Sequence, residues 1–590
     1  MLSKPNNKAS NTVIATPNKQ VFTWKTIWTL VCLLIITVLF CINYQRIFDE
    51  KIDLNGDNIA YYMLGQSLSS GHGFTNTEGY VETPHTHFPP GYPAFMALLM
   101  KAGWSSIHAI KVANGVLFYL SIILLFFILH TACDNRLIAL TACAFTASHS
   151  ILLRFSTIMM SESLYVFLAM IVMLIILKWD IHKAFSGQWK KWYKDGLILL
   201  AMALCLSSIY FVRVMGLSLI LAVILYYGIQ TALCFIAFLK TTKNEPNKQA
   251  PALRAAKTSV FKHGLVFGVV VLALIVPKTV WDIRDKHVGK ASDDYASAFM
   301  IKVGGGTMST VADWKERIIS NTTAYITNWI PTAIDGNSDG SSNATPLSTD
   351  WFIGICVVLL LLWGSIKLPK GALLLFLYVG ITMGVLLLFY EHYIGHRYMI
   401  PIIPFLIFLF IFGICDLIRL LSVKIGGTTS ERKILKFVPA VVCLVFALIV
   451  TPTYAESLKR TAKIAKGKTF TVYNADPRFI DYIDAARWIG VNLPDSARVA
   501  SRKGGITYIF SNGHKTGGVI PWFGTPEEVI EGFEKENINY VLIDTWYSHA
   551  YRTVLPAVQK YPNRFNVVYQ TSSGGDKQPY TYIVQLLKNE

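Results

Sequence analysis

Charge is the first thing this chain is short of. Of its 590 residues only 15% are charged, and 36 acidic side chains face 54 basic ones. A soluble domain carries about 25% charged residues, so a fully water-surrounded fold is excluded. Cysteine is scarce as well: nine in all, each in or beside an apolar segment and none after Cys443. They read as small buried apolar residues, and no disulfide framework is expected. The chain also lacks a nucleotide-binding glycine fingerprint, a P-loop and an internal repeat. The first two absences argue against a nucleotide-driven reaction. The third argues against a transporter built from two related halves with broken spans.

What fills the chain is apolar: 53% hydrophobic residues and a mean hydropathy of +0.43. The net charge of +18 invites a nucleic-acid reading, but the basic residues gather between alternate apolar runs. That is the positive-inside pattern of a polytopic membrane protein, and no nucleic-acid partner is expected. The periodicity predicts an α-helical polytopic bundle of about eleven spans, each near the ~20 residues needed to cross. They fall at 25–43, 107–131, 136–153, 162–178, 196–211, 214–239, 263–281, 351–366, 371–390, 398–421 and 436–452. Residues 1–24 read as a disordered cytoplasmic tail, and no cleavable signal precedes the first anchor. The transmembrane bundle covers 25–452, with outer loops at 44–106 and 282–350. An odd span count then puts residues 453–590, a C-terminal soluble α/β domain, on the outer side. The plasma (inner) membrane is the expected location.

Within 282–350 lie Gly304-Gly305-Gly306 and an amphipathic helix over 313–327. In the C-terminal domain a helix is expected over 477–491 and a strand at 498–501. A capping box at Thr525-Pro526-Glu527-Glu528, a strand at 540–543 and a final hairpin over 566–570 and 580–587 complete it. No catalytic constellation stands out there, which leaves capping, docking or stabilisation as its role.

Carboxylates gather just after the first span: Asp49, Glu50, Asp53 and Asp57. A helix starts at Asn55-Gly56-Asp57 and puts Asp57 and Tyr61 on one face. At a helix N-terminus the dipole and free N–H groups favour an ionised carboxylate. Gly71 and Gly73 end that helix, and Phe88-Pro89-Pro90 forms a rigid turn. Ionisable residues at the outer ends of spans are the other informative ones. They are Glu162 in Ser161-Glu162, Arg213 between two apolar runs, and His396-Arg397-Tyr398 before Pro401. If the sidedness holds, these groups face one compartment. Carboxylates with guanidiniums and histidines suit a phosphate-bearing substrate and an acceptor that needs activation.

Plainer readings compete. Glu162 and Arg154 could merely anchor span ends, and Asp57 could be a helix cap. Asp49, Glu50 and Asp53 read as solvated loop carboxylates. His72, His85 and His87 with nearby carboxylates leave room for a divalent metal, although their spacing fits no strong ligand pattern. A lipid transporter, or a scaffold that presents the C-terminal domain, remains the alternative function.

The order of these motifs resembles the GT-C superfamily of polyprenyl-phosphate-sugar-dependent glycosyltransferases, over residues 25–452. It is most similar to the protein O-mannosyltransferase and lipid A aminoarabinose transferase group. The resemblance rests on Asp57-x-x-x-Tyr61, Pro89-Pro90, Ser161-Glu162, the isolated Arg213, and Arg397-Tyr398-x-x-Pro401. It implies an inverting transfer of a hexose or pentose from a polyprenyl-phosphate-sugar donor to a lipid, glycan or protein acceptor. Asp57 would be the essential carboxylate and Glu162 the second acidic position, while Arg397 would hold the donor phosphate. Tyr61, His87, Arg213, His396 and Tyr398 would line the substrates. The sequence departs from the pattern in carrying Asp57-Asn58 where an Asp-Glu doublet is common. It also has Phe88 before Pro-Pro, with the basic His87 one position earlier.

Overall fold

The computed structural model describes residues 24–587, apart from 53–56, 78, 80–81, 186–188, 245–250, 290–298, 301–307, 338–345, 391–394, 426–434, 467–476, 515, 522–523, 547, 573–574 and 576–579. The Gly304–Gly306 run and the expected helix start at Asn55-Gly56 lie outside these. Every expected span is helical, but 136–153 is two helices that meet at His149, and 398–421 is interrupted at 400–402, between His396–Met399 and Ile403–Ile425. Among the described residues eight are long and apolar enough to cross a membrane alone. A ninth results if Arg136–Ser148 and Ser150–Ser156, bent by 60°, form one span. The remaining two, Glu162–Lys178 and Ala372–Leu388, have 17 residues each. At 1.5 Å per residue such a helix is about 26 Å long, the short end of what crosses. The last spanning helix, Val438–Lys466, runs well past the boundary expected at 452.

The bundle has one continuous apolar core, with buried polar groups bonded between helices. The Tyr165 and Tyr378 hydroxyls lie 3.0 Å apart, and Thr382 Oγ1 donates to Ser218 Oγ at 3.0 Å. Small residues permit the closest helix contacts, as is usual where lipid supplies no hydrophobic drive between helices. Gly364 and Gly413 face each other between Ser348–Lys367 and Ile403–Ile425. A Cβ on Gly364 would run into the Leu409 carbonyl, and one on Gly413 into that of Leu360. Backbone cannot step aside as a side chain can. Gly364→Ala is therefore expected to cost about 1–3 kcal/mol, as overpacking does. Gly380→Ala, where an added Cβ meets nothing within 4 Å, should leave thermal unfolding in detergent unchanged.

The outer helix expected over 313–327 begins at Val311 and is capped by Thr310. Thr310 Oγ1 accepts from the Asp313 N–H while the Asp313 carboxylate accepts from the Thr310 N–H. The C-terminal unit follows the expected order. Helix Pro477–Asn492 leads to β1 (Val499–Ser501), β2 (Thr516–Val519), β3 (Tyr540–Ile543), β4 (Phe565–Thr571) and β5 (Thr581–Leu586). The strands run in the order β2-β1-β3-β5-β4. β1 is parallel to β2 and β3, and β5 is antiparallel to β3 and β4. The Thr525–Glu528 capping box opens helix Pro526–Lys535.

What positions the site is the way this unit closes over the first outer loop. Ile52, Ile59 and Met63 belong to its core, packed with Tyr482, Ile506 and Trp546. Helix Asp57–Ser69 is thus apolar on two sides. Ile59 and Met63, four apart, enter the C-terminal core, while Tyr61 joins Tyr92, Met96 and Met160 against the bundle. Burying a side chain of this size contributes about 1.5–3 kcal/mol, so the helix is fixed from both sides. Asp49 is no solvated loop carboxylate. It pairs at 3.0 Å with Lys111, whose side chain is 1% exposed, and Lys111 also donates to the Asp49 and Lys51 carbonyls. Burying an ammonium is tolerable only with such a full set of acceptors.

Candidate active site

Four charged side chains from four distant parts of the sequence meet at the end of the bundle that the C-terminal unit covers. Glu162 lies in the first turn of its helix with its side chain 2% exposed. Its Oε1 accepts from Arg397 Nε at 3.0 Å and forms an ion pair with Arg213 Nη1 at 2.9 Å. Arg397 Nη2 reaches Asp57 Oδ2 at 2.9 Å. Arg213 Nη1 also donates to Ser161 Oγ at 3.1 Å. Both guanidinium carbons sit 5.9 Å from the ring centre of Tyr398, within cation–π range. The result is a charge-balanced quartet, Asp57–Arg397–Glu162–Arg213.

The local sequence accounts for each placement. Arg213 follows the end of helix Trp189–Val212 in extended backbone, before the short turn Val214–Gly216. Arg397 sits in the single turn His396–Met399, released by Gly395 at φ 137°, a backbone angle that favours glycine. Asp57 occupies the first turn of its helix, and its side chain is 32% exposed against 2% for Glu162. The two carboxylates are therefore unlike. Glu162 is sealed in and holds both guanidiniums, whereas Asp57 opens outward. Glu162 Oε2 has no hydrogen-bond partner among the described residues.

Tyr61 lies between Phe88, tilted at 45° with ring centres 4.8 Å apart, and Tyr92, edge-on at 5.3 Å. Burial pushes its hydroxyl up to about 12. It therefore stays protonated at neutral pH. The Phe88 turn is set by His85, whose Nε2 accepts from the Phe88 N–H at 2.8 Å. Nδ1 then carries the proton and donates to Asn76 Oδ1 at 2.7 Å. With both nitrogens used inside the loop, His85 has none for a metal. His72 pairs with Glu82 at 3.2 Å. Among the described residues no three His, Cys, Asp or Glu side chains are grouped to hold a metal ion. His396 is turned away from the quartet. Its Nε2 lies 2.8 Å from Thr332 Oγ1, and its ring meets Trp329 edge-on.

Outside the quartet, a cavity of about 520 Å³ separates the Asp57 helix from the C-terminal unit. Asp57, Asn76, His87 and Phe88 line one side, and Arg502 and Lys503 the other. His87 thus belongs to the cavity wall beside Asp57. No sequence motif marks Arg502 and Lys503, and the adjacent Gly504-Gly505 is the local signal of a close approach there. Gly505 allows the approach, since a Cβ there would press on Met63 and Ile59.

No family model matches the chain, and no curated protein matches it. Solved structures do. The Archaeoglobus fulgidus oligosaccharyltransferase, in a complex with zinc and sulfate, superposes with a TM-score of 0.51 at 12% identity. The match covers 94% of this chain and 72% of that one. ArnT from Cupriavidus metallidurans, bound to undecaprenyl phosphate, gives 0.48 at 11% identity over 95% and 98%. The likeness to the oligosaccharyltransferase takes in the bundle and the C-terminal unit together, and it shows a shared fold.

Proposed function

We propose that this chain is a membrane glycosyltransferase that moves a sugar from a polyprenyl-phosphate donor to an acceptor at the outer membrane face, with Asp57 as catalytic carboxylate. The observation that carries the reading is the Arg397 guanidinium joining Asp57 to Glu162 beneath a cavity open to Asp57. The GT-C fold adds an analogy, since the superposed oligosaccharyltransferase is a sugar transferase by name.

The polyprenyl tail lies among the spans and its phosphate at the bundle side of the quartet. Each guanidinium carries five N–H donors in a planar fork, more than the contacts above consume. Arg213 and Arg397 therefore retain donors for phosphate oxygens. The acceptor enters from the cavity. Its hydroxyl oxygen attacks the anomeric carbon and its proton passes to Asp57, while the bond from that carbon to the phosphate oxygen breaks. The lipid phosphate departs with the electron pair, toward the guanidiniums. Attack and departure on opposite faces invert the anomeric centre. Glu162 keeps the two cations fixed. Tyr61 and Tyr398 wall the site, and His87 flanks the acceptor path.

Purified protein in lipid nanodiscs, supplied with radiolabelled polyprenyl-phosphate sugars and membrane extract as acceptor source, tests this. Sugar transfer, or slow release to water, is expected. Binding without release or transfer would favour the transporter or scaffold reading.

A further inference from the structure

The quartet is electrically neutral, and the charge left over in the cavity wall belongs to the C-terminal unit. Arg502 is spoken for: its Nε lies 3.6 Å from Asp544 Oδ2, both side chains are buried, and its guanidinium covers Trp546 at 4.7 Å. Lys503 differs. Among the described residues it has no carboxylate within ion-pair distance, although it lines the cavity with Asp57. Its backbone is rigidly held, the Lys503 carbonyl accepting from Tyr482 Oη at 3.2 Å and from the Thr507 N–H at 3.0 Å. Burial lowers the Lys503 ammonium from its usual value and Arg502 adds to this, while Asp57 and Asp544 oppose it. A partly buried, uncommitted ammonium on a fixed backbone is an anion receptor in waiting.

We propose that Lys503 forms an anion subsite on the acceptor side of the Asp57 cavity, so that the acceptor carries a phosphate or carboxylate near its reacting hydroxyl. This rests on the glycosyltransferase reading for the word acceptor, and on geometry for the subsite. Direction distinguishes acceptor from donor. The lipid donor must approach from the spans, where Arg213 and Arg397 stand, whereas Lys503 belongs to the outer unit across Asp57. The two sides thus take two different anions. Arg397 is engaged by Asp57 and Arg502 by Asp544, so among the described residues Lys503 is the cation of the cavity wall left to receive an anion on the outer side.

The probes are glucose 6-phosphate, glucuronate and neutral glucose, titrated against the full chain in nanodiscs, with undecaprenyl phosphate as a separate arm. Both anionic sugars should bind more tightly than glucose. Lys503→Gln should weaken them about tenfold or more, as loss of a charged hydrogen bond does, and Lys503→Arg should restore them to within about threefold. Undecaprenyl phosphate should bind wild type and Lys503→Gln alike. Equal binding of the three sugars, or unchanged anion binding in Lys503→Gln, overturns the subsite. So does a Lys503→Gln loss confined to undecaprenyl phosphate, which would put the lysine on the donor side. Failure of wild type to bind undecaprenyl phosphate counts against the glycosyltransferase reading alone, and the sugar comparison then still decides the subsite. Lys503→Gln leaves the backbone bonds to Tyr482 and Thr507 intact, so a change in unfolding temperature is not expected to confuse the result.

Discussion

Asp57→Asn is expected to lower the rate of sugar transfer by about 10²–10⁴-fold, the range that general-base groups contribute, with abundance and unfolding temperature close to wild type. The geometry makes these two expectations separable. Asp57 is a third exposed, so its replacement by an isosteric amide buries no new charge. Arg397 keeps its bond to Glu162 at 3.0 Å, and the helix stays pinned through Ile59, Met63 and Tyr61. On the proposed mechanism what is lost is the proton acceptor at the mouth of the cavity, together with one charge of the partly exposed Asp57–Arg397 pair. Transfer from a radiolabelled polyprenyl-phosphate sugar in nanodiscs measures the effect. Full activity in a well-folded Asp57→Asn protein would remove Asp57 from the mechanism and leave the cavity without its chemistry.

How much of this was legible beforehand depends on range. Elements set by local periodicity were: the apolar helices, the Thr525 capping box, the strand at 540–543 and the closing hairpin stand where the sequence pattern puts them, while the breaks within 136–153 and 398–421 left no mark in hydropathy. The ends were less legible. The last spanning helix continues to Lys466 because a polar helical stretch outside the membrane carries no hydropathy signal. The ionisable residues Asp57, Glu162, Arg213 and Arg397 could be named, since charge at a span end is costly and rare. Their pairing could not, because 235 residues separate Glu162 from Arg397 and 340 separate Asp57 from Arg397. His396 shows the limit. It sits beside Arg397 in sequence, yet the turn His396–Met399 sends the two side chains to different neighbours. Ile59 and Met63 did carry a signal. A helix apolar on the face away from Tyr61 must bury that face as well, and its partner proved to be the C-terminal core.

Glu162 should behave in the opposite way to Asp57, with its largest effect on stability. Its carboxylate is 2% exposed and carries both Arg213 and Arg397. Removing one partner of a buried ion pair leaves an uncompensated charge and costs about 3–5 kcal/mol. Glu162→Ala is expected in that range. Arg397 still has Asp57 at 2.9 Å, whereas Arg213 is left with the Ser161 hydroxyl, so Arg213 bears most of the loss. The pair Glu162→Gln with Arg213→Gln tests this directly. Restoring neutrality should make the double variant more stable than the sum of the single losses predicts, by roughly 0.5–3 kcal/mol in a double-mutant cycle. Strict additivity would mean that water reaches Arg213 and that the Glu162–Arg213 pair is not the sealed pair its burial describes. Activity adds a second axis. If Glu162 serves to hold the cations in place, the neutral double variant should fold yet bind undecaprenyl phosphate at least about tenfold more weakly than wild type, since a charged hydrogen bond contributes about 1.5–3 kcal/mol. Near-wild-type binding would shift phosphate recognition to Arg397 alone.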